Sequence, residues 1–89
     1  MTANENPTPK QRELIEALRR KQVELKLGES AFARLLGIEY SYWYRISHYE
    51  RPPVGKVLTG IMARLPELGL LVIDYMRESG RQVPEEVGQ

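Results

Sequence analysis

Apolar residues along this chain recur every third or fourth position, and nowhere do apolar and polar residues alternate as they would along a half-buried strand, so the pattern is helical throughout. Leu14, Ile15, Leu18 and Val23 keep roughly helical spacing and predict a first helix over residues 9–25. Its start is marked by Thr8-Pro9-Lys10-Gln11, a capping box with proline at the first helical position, where the amide that proline lacks has no partner to lose. Gly28 breaks this helix. Phe32, Ala33, Leu35 and Leu36 form a short second helix, and Gly37 ends it as a left-handed cap, followed by Ile38 as a buried plug. A third helix over 40–49 is stopped by Pro52-Pro53, since the residue before a proline is pushed out of the helical region. A fourth covers 54–64, and Pro66 opens a fifth that Gly80 closes. The polar stretches 1–8 and 81–89 hold too little apolar surface to order themselves and are expected to be flexible. The expected architecture is an all-α, five-helix domain over 9–80.

Phe32, Ala33, Gly37, Ile38, Trp43 and Ile46 have more constraint than the rest. They place a small residue where two helices touch, a glycine in the turn four residues later, and apolar anchors ten and thirteen residues after the alanine. Two short helices crossing at a steep angle require that layout: Ala33 permits close approach, Gly37 takes a positive φ, and Ile38, Trp43 and Ile46 fill the angle between them. The spacing is that of a helix-turn-helix over residues 29–48.

On these residues the chain resembles the lambda-repressor-like (Xre-type) helix-turn-helix family. The resemblance continues without gaps through Pro53 into "PVGKVLTGIMARL", where Leu58, Ile61 and Leu65 match the apolar positions of that family's fourth helix, and it covers about residues 10–65. Three departures stand out. Glu29 occupies a position where the family often has glutamine, and an acid is a poor neighbour for phosphate. Gln22 and Ser47 stand where the family has a buried Arg–Glu pair, which fits a neutral hydrogen bond in place of an ion pair. Tyr49 stands where the family usually has a glycine. The resemblance implies a sequence-specific reader of double-stranded DNA whose third helix enters the major groove, most simply a small dimeric bacterial or phage repressor of the cytoplasm.

Four aromatics fall within residues 40–44, more than one helical face can bury. At 100° per residue Trp43 and Ile46 define the inward stripe, while Ser41, Tyr44, Arg45 and His48 point away from it and Tyr40, Tyr42, Ser47 and Tyr49 flank. Trp43 is therefore the core aromatic and Tyr42 a half-buried one that needs no ligand. Tyr40, Ser41, Tyr44, Arg45 and His48 become the candidate base contacts. An outward arginine has the fork geometry of guanine O6 and N7, although the same side chain could equally hold a phosphate. His48 is a candidate hydrogen-bond donor. The candidate phosphate contacts are Arg51, Lys56, Ser30 and the backbone amide of Glu29, the last two at the positive end of the second helix.

Composition adjusts this picture in a few places. Eighty-nine residues hold one small core, and no apolar run approaches the roughly 18 residues of a membrane span. No secretory leader pattern is present, which fits a cytoplasmic protein. Without cysteine, and with a single histidine, disulfides, thiol nucleophiles and a metal site are not expected, nor is any cofactor. The net charge of +1 by itself argues weakly against a nucleic-acid partner, but it is unevenly spread: residues 1–65 carry eleven Lys/Arg against seven Asp/Glu, and 66–89 two against five. Ser41, Ser47 and His48 do not make a catalytic triad, because no carboxylate stands behind the histidine and the face is expected to be convex, so an enzyme is not expected. The fifth helix has more apolar surface than one side can use. Leu68, Leu71, Val72 and Tyr75 form one stripe, whereas Leu70, Ile73 and Met76 spread beyond it and are the expected dimer contact over 66–79. The alternative function is a protein-interaction module on the same fold, an antitoxin or an RNA polymerase-docking factor, with the tyrosine-rich face as its binding surface.

Overall fold

The computed structural model of the protein describes residues 7–78. Five α-helices are present and no strand occurs among the described residues. Helix α1 (Pro9–Glu24) opens where the Thr8 hydroxyl accepts the Gln11 amide at 3.2 Å, with Pro9 in the first turn. The reciprocal bond of a capping box, from the Thr8 amide to the Gln11 side-chain oxygen, is not made among the described residues; Gln11 is buried, and its Nε2 also finds no partner there. Leu14, Ile15 and Leu18 are fully buried, but Val23 is 75% exposed. Five residues beyond Leu18 correspond to a rotation of about 140°, which carries Val23 to the outer face, while Ala17 contributes to the core instead.

The first three helices end in one shared motif. After α1, Lys26 takes φ +57°, and the amides of Lys26 and Leu27 return to the carbonyls of Val23 and Gln22 at 3.0 and 3.2 Å. After α2 (Glu29–Leu36), Gly37 takes φ +81°, and the amides of Gly37 and Ile38 bond the carbonyls of Arg34 and Ala33, both at 3.0 Å. After α3 (Tyr40–Ser47), Tyr49 takes φ +63°, and the amides of Tyr49 and Glu50 bond the carbonyls of Ile46 and Arg45 at 3.1 and 2.8 Å. Each is a Schellman ending, in which the left-handed residue lets two amides satisfy orphan carbonyls. Two expectations are corrected by it. Gly28 does not stop α1; Lys26 does, and Gly28 is the extended N-cap of α2. Helix α3 ends at Ser47 because Tyr49 reverses the chain, before the prolines are reached.

Helix α4 (Lys56–Arg64) begins two residues later than expected, after Gly55 at φ +48°. Pro66–Leu68 form a 3-10 turn, and α5 (Gly69–Glu78) follows it; Gly80, expected to close this helix, lies outside the described residues, as do 1–6 and the rest of 79–89. Helix α1 packs on α5 and touches α3, α2 packs on α3 and α4, and α4 on α5, so one continuous core runs from Leu14 through Phe32 and Trp43 to Tyr75. At its centre Phe32 and Trp43 meet edge to face, with ring centroids 5.1 Å apart. Gly60 lets α4 lie against the end of α2: a Cβ there would collide with the Leu36 carbonyl. The loop between α3 and α4 is held from behind, where the buried Tyr75 hydroxyl donates to the Pro53 carbonyl at 2.8 Å. Lys21 ties α1 to the 3-10 turn through Glu67 at 2.7 Å and also reaches Glu24 at 3.1 Å.

Helix α5 corrects the expected dimer contact. Met76 is only 7% exposed and belongs to the protein's own core with Val72 and Tyr75, and Ile73 is half-buried against that core. Leu70 alone of the three stands out, at 76% exposure. Leu68 and Leu71, placed on the inward stripe by spacing, are only half-buried. The helix begins after the 3-10 turn rather than at Pro66, and α1 and α4 cover it from two sides, so more of its apolar surface is used internally than one stripe provides. No helix among the described residues is long and apolar enough to cross a membrane.

Candidate nucleic-acid interface

The angular assignment of α3 is reproduced by burial. Trp43 and Ile46 are fully buried; Ser41, Tyr44, Arg45 and His48 are exposed, and Tyr42 is half-buried against the core. Tyr40 and Tyr44 are 46% and 42% exposed. Ser47, placed on the flank by angle, is buried. Tyr40, Tyr44 and His48 stand one helical turn apart and form a ladder of rings: Tyr40 and Tyr44 are tilted at 6.1 Å, and Tyr44 and His48 are stacked at 4.0 Å with 21° between their planes. Each ring in the ladder limits the rotamers of the next, which orders the face before any ligand arrives.

The polar bonds beneath this face differ from those expected. The Trp43 indole N–H donates to Glu29 Oε1 at 2.7 Å, across fourteen residues of chain. A buried indole needs an acceptor, and a carboxylate makes the bond a short, charge-assisted one. Glu29 is therefore turned back onto α3, and its side chain locks the two helices of the motif together. Gln22 and Ser47 do not bond each other. Gln22 Nε2 donates to the Leu27 carbonyl at 3.2 Å, and the Ser47 hydroxyl to the Tyr44 carbonyl at 3.1 Å, so each polar group is satisfied locally. His48 Nδ1 lies 2.8 Å from that same Tyr44 carbonyl and 3.3 Å from Ser47 Oγ.

Beside α3 the surface is concave, against the convex face expected. An open groove of about 490 Å³ is lined by Ile38, Glu39, Ser41, Tyr42, Arg45, Arg51 and Lys56, from the turn before α3, the helix itself, the following loop and the start of α4. A second, shallower depression of about 350 Å³ adjoins it, lined by Tyr40, Ser41, Tyr44, Arg45 and Glu50. Ser41 and Arg45 border both. None of Arg45, Arg51 and Lys56 makes an ion pair with a described residue, so three cations face the groove with their charge unspent, against Glu39 within it and Glu50 alongside. Salt-bridged cations would already have a partner; these have none among the described residues.

The structure thus gathers Ser41, Arg45, Arg51 and Lys56 around one groove and sets Tyr40 and Tyr44 in the depression that adjoins it. Glu29 and Ser30 are exposed at the start of α2 but do not line it, and His48 lies past both depressions at the end of the ladder. Glu39, Ile38 and Tyr42 are lining residues that the sequence reading did not assign to the site. The Tyr75–Pro53 bond and the Tyr49 reversal set the course of the loop that carries Arg51 toward Lys56. No cluster of three potential metal ligands occurs among the described residues. No protein-family model, curated protein or solved structure matches this chain.

Proposed function

We propose that the protein is a sequence-specific double-stranded DNA-binding transcriptional regulator of the lambda-repressor-like type, working in the cytoplasm as a small dimeric repressor without a cofactor and reading an inverted repeat through α3. The observation that carries this reading is the outward face of α3: Ser41, Tyr44, Arg45 and His48 exposed opposite a buried Trp43, beside a groove whose three cations form no ion pair among the described residues. An α-helix with such a face fits the major groove, whose floor offers base acceptors to Arg45 while phosphates on its walls meet Arg51 and Lys56. Dimerisation through α5 would use Leu70 and the exposed part of Ile73, with Met76 no longer available. Selection of bound duplexes from random DNA tests the proposal. An inverted repeat is the expected product, with affinity that falls steeply as salt is raised.

One observation favours a second reading. The ring ladder Tyr40–Tyr44–His48 gives the same face an aromatic surface of the kind enriched in protein interfaces, which fits an antitoxin or an RNA polymerase-docking factor. Salt-tolerant binding to a protein, with no duplex retained at low salt, would select that reading over the first.

A further inference from the structure

We propose that His48 reads the exocyclic amine of a base, N6 of adenine or N4 of cytosine, by presenting Nε2 as a hydrogen-bond acceptor. The recognition face of α3 then carries one donor-only reader, Arg45, and one acceptor reader, His48. This rests on the DNA-reading role proposed above and adds to it the polarity of one contact.

Nδ1 lies 2.8 Å from the Tyr44 carbonyl, which has lone pairs and no hydrogen to give. Its second neighbour, Ser47 Oγ at 3.3 Å, directs its own hydrogen at that same carbonyl and so turns a lone pair toward the ring. The carbonyl, which can only accept, requires a hydrogen on Nδ1, and the Ser47 hydroxyl is compatible with it. In a neutral imidazole the remaining nitrogen is then an acceptor, and Nε2 makes no hydrogen bond with a described residue. The opposite tautomer would set lone pairs against the carbonyl, and turning the ring over would set a C–H there; the stack on Tyr44 at 4.0 Å fixes the ring plane. Backbone and ring together therefore hold an exposed acceptor at a defined angle at the end of the recognition face.

In the major groove the only hydrogen-bond donors on base edges are the amines of adenine and cytosine. A guanine, which offers two acceptors there, suits Arg45 and not a neutral His48. Each half-site is thus expected to contain a guanine for Arg45 and, displaced along the helix axis, an adenine or cytosine for His48. Exchanging the two bases would set donor against donor at one position and acceptor against acceptor at the other.

The test uses the duplex recovered by selection, at pH 8. At each adenine or cytosine of the half-site the amine is replaced by hydrogen, with purine for adenine and pyrimidin-2-one for cytosine. Affinities are measured for the parent, His48→Ala and His48→Gln. At one position the parent should lose roughly tenfold, the cost of one unmade bond, whereas His48→Ala should lose nothing further because its reader is already gone. His48→Gln should recover part of the dependence, since its amide oxygen accepts. His48 is exposed at the helix end, so unchanged circular dichroism and melting are expected for both variants. The proposal is overturned if every amine deletion costs parent and His48→Ala equally, or if the coupling appears at N7 or O6 of a guanine, which would make His48 a donor. A parent that retains no duplex at low salt removes the DNA-reading role itself, and this proposal with it. A duplex read without an amine coupled to His48 removes this proposal alone.

Discussion

Lys26 and Tyr49 hold the same left-handed backbone for different reasons, and replacing each by glycine separates the two. A residue with a Cβ spends about 1 to 2 kcal/mol in that region. Lys26 is exposed and its side chain makes no hydrogen bond or ion pair with a described residue, so Lys26→Gly should stabilise the protein by about 1 kcal/mol, visible as a rise of several degrees in melting temperature. Tyr49→Gly relieves the same strain but gives up a half-buried ring that packs on the core and lies 5.9 Å from the Arg12 guanidinium, so it should destabilise. At Trp43 the ring fills the angle between α2 and α3, and Trp43→Ala should cost roughly 3 to 5 kcal/mol in chemical denaturation. Two residues that share the groove should separate reading from holding. Arg45→Ala is expected to cost about 1 to 3 kcal/mol at the cognate site and relax one base position in each half-site, with much less loss on random DNA. Lys56→Ala should weaken both duplexes nearly equally and lower the salt slope by about one unit for each copy engaged. Equal losses on cognate and random DNA for Arg45→Ala would pass the reading role to Tyr44 or His48.

Between elements, Gly60 sets local propensity against packing. In an isolated helix Gly→Ala gains about 1 kcal/mol. Here the new methyl would run into the Leu36 carbonyl, so α4 has to move off α2, and Gly60→Ala should destabilise by about 1 to 3 kcal/mol or more. A measured gain in stability would mean that the two helices are not in close contact at this point. The junction of α1 with the 3-10 turn should show its own pH dependence. The hydrogen bond from Lys21 holds the Glu67 carboxyl below its ordinary value of 4.5, and the same bond, aided by one to Glu24, holds the Lys21 ammonium above 10.5. The carboxylate therefore stabilises the fold above about pH 4.5 and loses that contribution as acid protonates it; the ammonium stabilises it below about pH 10.5 and loses its contribution as alkali deprotonates it. Melting curves should place Glu67→Gln slightly below the parent at pH 7 and converge with it as the pH falls well below 4.5.

At the scale of the molecule, the question is which apolar surface is left for a second copy. Met76 fills the protein's own core and Leu70 is exposed, so the two positions should answer a charge differently. Leu70→Glu should leave the melting curve of a monomer unchanged and shift sedimentation from dimer to monomer, whereas Met76→Glu should unfold the chain by burying an unpaired charge. An unmodified protein that sediments as a monomer at high micromolar concentration would leave the two-fold reading of an inverted repeat without its basis.

Much of this was legible in the sequence because it is local. Helical periodicity, the Thr8–Pro9 start, the left-handed Gly37 and the inward angle of Trp43 depend only on neighbours within a turn or two, where backbone geometry repeats from protein to protein. The exposed set Ser41, Tyr44, Arg45 and His48 followed from the same 100° rotation. What spacing could not decide depends on how helices approach one another. That a buried indole must find an acceptor is a general rule, but that it finds Glu29 requires α2 and α3 to be folded together. The reversal at Tyr49 without a glycine, the collision waiting at Gly60 and the withdrawal of Met76 into the core are likewise outcomes of packing. A side chain's face is set by its position along one helix, but its partner and its burial are set by what the other helices leave uncovered.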